Sequence, residues 1–169
     1  MKLIGGKAFV LGDRIDTDLL APGAHMRKPI EELKWHCLEA VDPEFARRVK
    51  AGDVLIAGRG FGIGSSREQA AQALKELGIG CVVARSFARI FYRNALNLGL
   101  PVLVCEEDFS VRAGDDVEVD IRAGVLRNCT QGHFARAQPM PDFLIAMLDA
   151  GGLLPQLKLK LAQRLRSPC

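Results

Sequence analysis

An apolar run, Val54-Leu55-Ile56-Ala57, leads directly into Gly58-Arg59-Gly60-Phe61-Gly62-Ile63-Gly64-Ser65-Ser66-Arg67-Glu68-Gln69, and an alanine-rich stretch at helical spacing follows. Buried strand, flexible turn and helix start, in that order, restrict the chain to folds that carry a helix back across a sheet. Glycine at alternate positions from Gly58 to Gly64 lets the backbone turn sharply and lets another group come close to it, because glycine has no Cβ and tolerates positive φ. The helix start adds N–H groups without intrahelical partners and the positive end of a helix dipole. Ser65, Ser66 and Arg67 stand at that anion-attracting end.

The pattern on either side extends the same plan. Residues 65–77 are predicted as a helix, with Ser65-x-x-Glu68 and Ser66-x-x-Gln69 both matching a capping box. Ala70, Ala73, Leu74 and Leu77 make its inner stripe and Gly78 ends it. A strand over 79–84, a helix over 86–98 closed by Gly99, and a strand over 101–105 complete β-α-β-α-β, which predicts a parallel sheet with crossover helices. Before it come a strand over 7–11 and short helices opened by Pro29, to about Cys37, and by Pro43, through Lys50, with Trp35 and His36 as partly buried packing residues. After Glu107 the period changes. Val117-Glu118-Val119-Asp120-Ile121 alternates strictly and turns at Gly124 into Val125-Leu126-Arg127, a peripheral hairpin with one wet face. Helices over 141–150 and 153–165 follow, with a frayed end. No internal repeat or long linker divides the chain, so one α/β domain over 1–169 is expected.

The rest of the sequence excludes function classes. A net charge of +3 on scattered basic residues gives no nucleic-acid footprint, and Lys158, Lys160, Arg164 and Arg166 read as a solvated helix face. The 5 cysteines, Cys37, Cys81, Cys105, Cys129 and Cys169, are odd in number and lack C-x-x-C spacing, so neither a disulfide framework nor a self-contained zinc or iron–sulfur site is expected. Cys81 and Cys105 lie in apolar runs as core residues, and a reducing, cytoplasmic setting fits. Met1–Gly6 is too short for a signal peptide and no apolar run reaches membrane-spanning length. Asp16 and Asp18 flank Thr17 in a loop where they cap local N–H groups, without further ligands for a metal. His25, Arg27 and Lys28 suit either an ordinary polar loop or a carboxylate-binding one.

Three readings of the glycine turn compete. Nucleotide binding is disfavoured, since no lysine follows the glycines as in a Walker loop and their spacing in twos fails G-x-G-x-x-G. A purely structural turn would carry a large entropic cost for its four glycines. Carboxylate chemistry fits best: Arg67 offers a bidentate fork, and a serine beside fixed cations and N–H donors can act as an alkoxide that takes a proton α to a carboxylate. No histidine stands near and G-x-S-x-G is not matched, which argues against a hydrolase triad. A non-catalytic module that grips a polycarboxylate through Arg67 is the alternative of another class.

These residues resemble a known family. Gly62-Ile63-Gly64-Ser65-Ser66-Arg67-Glu68-Gln69-Ala70 is similar to the G-x-G-S-S-R-E-H/Q-A motif of the aconitase superfamily swivel domain. Gly12-Asp13-Arg14-Ile15-Asp16-Thr17-Asp18 resembles the G-D-N-I/V-D-T-D segment of isopropylmalate dehydratase small subunits. Ser86-Phe87-Ala88-Arg89-Ile90-Phe91-Tyr92-Arg93-Asn94 and Asn97-Leu98-Gly99-Leu100-Pro101 resemble two further segments of that family, in the same order. The resemblance implies a swivelling β/β/α domain and a hydro-lyase that isomerises 2- and 3-isopropylmalate, by dehydration and rehydration, in leucine biosynthesis. It implies a partner, a large subunit whose [4Fe-4S] cluster serves as Lewis acid, in a heterodimer or heterotetramer, with no cofactor or metal on this chain. Ser65 would be the base. Ser66 and Arg67 would hold carboxylate and developing charge, and Gly60, Gly62 and Gly64 would allow close approach of substrate and partner. The loop after the first strand sets substrate choice in the family. Where small subunits often read P-A/G-R-Y-L-R/K, this chain has Pro22-Gly23-Ala24-His25-Met26-Arg27. Arg27 and His25 would then face an extra carboxylate, or Met26 an isopropyl group, which leaves a homoaconitase or a dimethylmalate-type dehydratase open beside the isopropylmalate enzyme. The substrate in each case is a small 2-hydroxy di- or tricarboxylic acid.

Overall fold

The computed structural model describes residues 3–166; Cys169 and the expected frayed end lie outside them. The order of elements is β1 (Leu3–Val10), α1 (Thr17–Leu20), α2 (Ile30–Leu33), α3 (Phe45–Arg48), β2 (Val54–Ala57), α4 (Glu68–Leu77), β3 (Cys81–Ala84), α5 (Arg89–Leu98), β4 (Val102–Val104), β5 (Asp116–Asp120), β6 (Val125–Asn128), β7 (His133–Arg136), α6 (Asp142–Asp149) and α7 (Leu153–Arg166). Short 3₁₀ turns at Gly23–His25 and Lys34–His36 flank α2.

The strands form one 7-stranded sheet in the order β4-β3-β2-β1-β5-β6-β7. The first four run parallel, each crossover stepping to the adjacent strand in the same direction. Right-handed connections therefore place α4 and α5 on the same face. All of β3 is buried, as expected of a strand covered on both sides. The expected hairpin forms as β5 and β6, and it continues the sheet beyond β1. β5 pairs antiparallel with β1, and a third strand, β7, continues beyond β6. β7 escapes sequence reading because it is an edge strand with Ala135 as its one buried residue, so no alternation marks it. The sheet curls until its ends meet: the Gln138 N–H beyond β7 donates to the Val104 carbonyl of β4 at 2.8 Å. Leu55, Val82, Val117, Val119 and Leu126 belong to the core this creates.

Gly78 and Gly99 end α4 and α5 in left-handed conformations, as the sequence predicts. The start of α4 differs. Its N-cap is Arg67, with no side-chain cap bond, and the helix begins at Glu68 rather than Ser65. Of the two capping-box serines, Ser65 is drawn away by a partner 48 residues distant, described below. Trp35 is also not a packing residue: it is 53% exposed, with the Lys34 ammonium over its ring.

The turn before β5 holds the buried Asp115. Its carboxylate accepts the Arg112 N–H at 2.9 Å, the Asn128 amide at 2.7 Å and the Gln131 amide at 2.6 Å. These donors favour the ionised form, so the Asp115 carboxyl is held below its usual range, chiefly by the Arg112 N–H and next by Asn128. A carboxyl with a depressed folded value stabilises the fold above its unfolded value of about 3.9, and that contribution is lost as pH falls through the folded value. Asp115→Asn is expected to lower the urea midpoint at neutral pH, and its deficit is expected to shrink below about pH 4. A deficit that stayed constant into acid would remove Asp115 as an acid-sensitive group.

Candidate active site

The loops that leave the C-terminal ends of β1, β2 and β3 converge, the edge at which open α/β sheets bind ligands. The glycine turn lies in the middle and is bonded to both neighbours. On the β1 side Gly58 N–H donates to Gly12 O, Gly62 N–H to Ile15 O and Thr17 N–H to Ile63 O, at 3.1, 2.7 and 2.8 Å. On the β3 side Phe61 N–H donates to Ser86 O at 3.0 Å and Ala88 N–H to Phe61 O at 2.9 Å. The Ser86 hydroxyl accepts the Gly60 N–H at 2.9 Å. Two glycines have steric reasons to be there. A Cβ on Gly62 would lie 2.3 Å from the Phe91 ring, and one on Gly64 would lie 3.0 Å from Thr17 Oγ1; both have positive φ, +78° and +108°.

Thr17, which lies against Gly64, positions Ser65. The Ser65 N–H donates to Thr17 Oγ1 at 3.0 Å, and the two hydroxyl oxygens are 3.3 Å apart. Thr17 is 3% exposed, whereas Ser65 is exposed. A threonine oxygen that accepts an N–H keeps its own proton to donate. Thr17 can therefore donate to Ser65 Oγ, the bond an alkoxide there would need. Ser66 is exposed as well, its carbonyl 3.5 Å from the Asn94 amide.

Arg67 is held at the same edge. Its Nη1 donates to the Asp18 carboxylate at 2.5 Å and to the Ala21 carbonyl at 2.9 Å. Gly23, which follows, leaves room for Nη2, 3.5 Å from where a Cβ would stand. The Arg67 guanidinium, followed by the Gly23 N–H at 3.0 Å, holds the Asp18 carboxyl below its usual range. Asp16 caps Leu19 N–H at 2.8 Å, the capping role expected of it. The sequence did not show that Thr17 and Asp18 would be the groups placing Ser65 and Arg67. A threonine between two acids, Asp16-Thr17-Asp18, was the available signal.

The substrate-loop candidates divide. Met26 is half-buried against the core and Arg27 is exposed. His25 is turned to Glu39, Nε2 to Oε1 at 3.3 Å, and stacks on His36. The described cysteines do not converge: Cys37, Cys81 and Cys105 are buried in separate segments and Cys129 is exposed. Burial raises the Cys37 and Cys105 thiols, which disfavours the thiolate a metal needs. Among the described residues, the one group of three or more His, Cys, Asp or Glu side chains close enough to share an ion contains no cysteine. The described residues thus do not fit an iron–sulfur cluster. No helix among them is long and apolar enough to cross a membrane.

Residues 20–107 match the aconitase C-terminal domain family. The chain is 51% identical over 158 residues to a 3-isopropylmalate dehydratase small subunit of Methanopyrus kandleri, covering 92% of this chain and 93% of that one. It is 46% identical over 153 residues to a homoaconitase small subunit of Methanothermobacter thermautotrophicus, covering 90% and 89%. A crystal structure of a 3-isopropylmalate dehydratase from Methanocaldococcus jannaschii superposes with a TM-score of 0.89 at 40% identity, over 98% of this chain and all of that one.

Proposed function

Because the chain belongs to the aconitase C-terminal domain family, among the 3-isopropylmalate dehydratase small subunits, we propose that it supplies the base side of a hydro-lyase site. The substrates in this reading are 2- and 3-isopropylmalate, interconverted by dehydration and rehydration in leucine biosynthesis. The observation that carries it is the hydroxyl pair: exposed Ser65 anchored through its N–H and Oγ to buried Thr17. Ser65 Oγ takes the proton at the carbon next to a carboxylate and returns it in the rehydration half. Thr17 and the positive end of α4 favour the alkoxide. Arg67, oriented by Asp18 and Ala21, receives a substrate carboxylate on the remainder of its fork, with Ser66 beside it. The glycines at 60, 62 and 64 keep this backbone accessible. Arg27 and Met26 face the variable side of the substrate, with His25 shaping the loop from its seat on Glu39.

The other half of the site comes from a large subunit. That subunit would hold a [4Fe-4S] cluster, whose chemistry would be that of a Lewis acid toward a substrate hydroxyl. An exposed leucine stripe on α7, Leu154, Leu157, Leu161 and Leu165, supports assembly with another chain. The whole chain, 1–169, acts as one swivel domain in a heterodimer or heterotetramer. The odd cysteine count, 5, supports a reducing cytoplasmic setting.

The test is reconstitution. The chain is purified alone and with the iron–sulfur large subunit of its source, then assayed with 2-isopropylmalate, homoaconitate and 2,3-dimethylmalate. Turnover is expected from the pair alone, fastest with isopropylmalate. Turnover by the isolated chain would sink the half-site reading, and a faster rate with homoaconitate would reassign Arg27 to an extra carboxylate. Tight polycarboxylate binding without turnover in any pair would favour a non-catalytic module.

A further inference from the structure

We propose that His25, His36 and Glu39 form a binding site for a divalent transition metal of the zinc class, separate from the glycine turn. His25 Nε2 lies 3.3 Å from Glu39 Oε1, and His36 Nδ1 lies 2.7 Å from Glu39 Oε2. One donor atom from each of the three residues falls within 4.8 Å of the others. Each side chain is partly sheltered yet reachable, at 23%, 27% and 39% exposure for His25, His36 and Glu39.

The present hydrogen bonds describe the proton-filled form of that site. The Lys28 ammonium, which can only donate, stands 3.2 Å from His36 Nε2. It assigns Nε2 as acceptor, so Nδ1 carries the N–H that faces Glu39. His25 likewise directs an Nε2–H at the other carboxylate oxygen. Two N–H protons thus converge on one carboxylate where a dication would sit. A metal takes both nitrogen lone pairs. The His25 proton passes to Nδ1, the His36 proton to Nε2, and the exposed Lys28 swings into solvent. The imidazoles are stacked 3.5 Å apart at 9°, so binding also asks the His25 ring to tilt out of the stack. Two imidazoles and a carboxylate with an open fourth position suit Zn²⁺, Co²⁺ or Ni²⁺. Mg²⁺ and Ca²⁺, which prefer oxygen cages, are poor fits.

The site bridges two turns. His25 ends the Gly23–His25 turn, and His36 ends the Lys34–His36 turn. The first turn follows Ala21, whose carbonyl holds Arg67. A bound ion therefore pins the segment that borders Arg67. The assignment needs neither a partner chain nor turnover.

The experiment uses the isolated full-length chain titrated with Co²⁺, read by its visible d–d bands, and with Zn²⁺ by calorimetry. One ion per chain is expected, with Mg²⁺ silent, and hydrogen exchange over residues 22–29 is expected to slow when the ion is bound. His25→Ala, His36→Ala and Glu39→Gln, each checked for an unchanged circular dichroism spectrum, are expected to weaken binding at least roughly tenfold, the scale on which even outer-sphere partners act. Lys28→Gln is expected to tighten it by removing the competing cation. No binding in wild type, or binding that survives all three ligand substitutions, would overturn the site.

Discussion

Replacing Ser65 with alanine in the reconstituted enzyme is expected to cut kcat by about 10²–10⁴-fold, the contribution of a positioned proton-transfer group, with subunit association and KM little changed. The side chain is exposed and its hydroxyl meets the Thr17 hydroxyl, so its removal empties no core space. The N–H that anchors the residue to Thr17 is backbone and survives the substitution. In the proposed reading the ground-state grip on the carboxylate is assigned to Arg67, which is fixed through Asp18 and Ala21 independently of Ser65. A loss in kcat without a matching rise in KM is the signature of an interaction made only on the way to the transition state. Stopped product formation, together with unchanged co-elution of the two subunits, is the measurement. Near-normal turnover would remove Ser65 as the base, and a rise in KM alone would make it a binding residue.

That reading depends on contacts between distant parts of the chain, and this is where sequence inference divides. The four parallel strands, their helices and the glycine turn were legible because each rests on local rules: apolar runs, helical spacing, glycine stops at Gly78 and Gly99. The capping boxes failed for the opposite reason. A hydroxyl on Ser65 or Ser66 can cap the helix beside it, but the Ser65 N–H and hydroxyl meet Thr17, 48 residues away, and that competition is invisible in a window of a few residues. β7 was missed because an edge strand with one buried residue carries no period. The antiparallel side of the sheet, β5 to β7, therefore reads as a two-stranded hairpin without its third strand. The His25–His36–Glu39 group was out of reach because the stack of two rings is set by the 3₁₀ turns around α2, not by ligand spacing. Ser65, Ser66 and Arg67 are brought to one edge, whereas the loop from Ala24 to Lys28 turns His25 to Glu39 and packs Met26 against the core, contacts that no local spacing signals.

Gly62→Ala is expected to destabilise the isolated chain by about 2–5 kcal/mol, the joint effect of left-handed strain and core overpacking. Gly62 has φ +78°, and its new Cβ would fall 2.3 and 2.4 Å from Phe91 Cγ and Cβ. The neighbour cannot yield cheaply. Phe91 is 2% exposed near the start of α5, and its ring meets Phe61 edge-on at 5.1 Å and lies parallel to Phe87 at 6.3 Å. Relief must come from the turn, which is bonded on both sides, through Gly62 N–H to Ile15 O at 2.7 Å and Phe61 N–H to Ser86 O at 3.0 Å. A shift large enough to clear the ring would break those bonds and carry Ser65 away from Thr17. Against a net stability of about 5–15 kcal/mol for a typical domain, the loss is a large fraction. Gly12→Ala is the control. A Cβ there meets nothing within 4 Å, and a change within about 0.5 kcal/mol is expected. Urea midpoints at a common m-value decide between them. Equal midpoints for the two variants would mean that the turn is not seated on Phe91, and the placement of Ser65 would lose its support. A large loss for Gly62→Ala alone would show that the same aromatic packing holding α5 to the sheet also fixes where the serine stands.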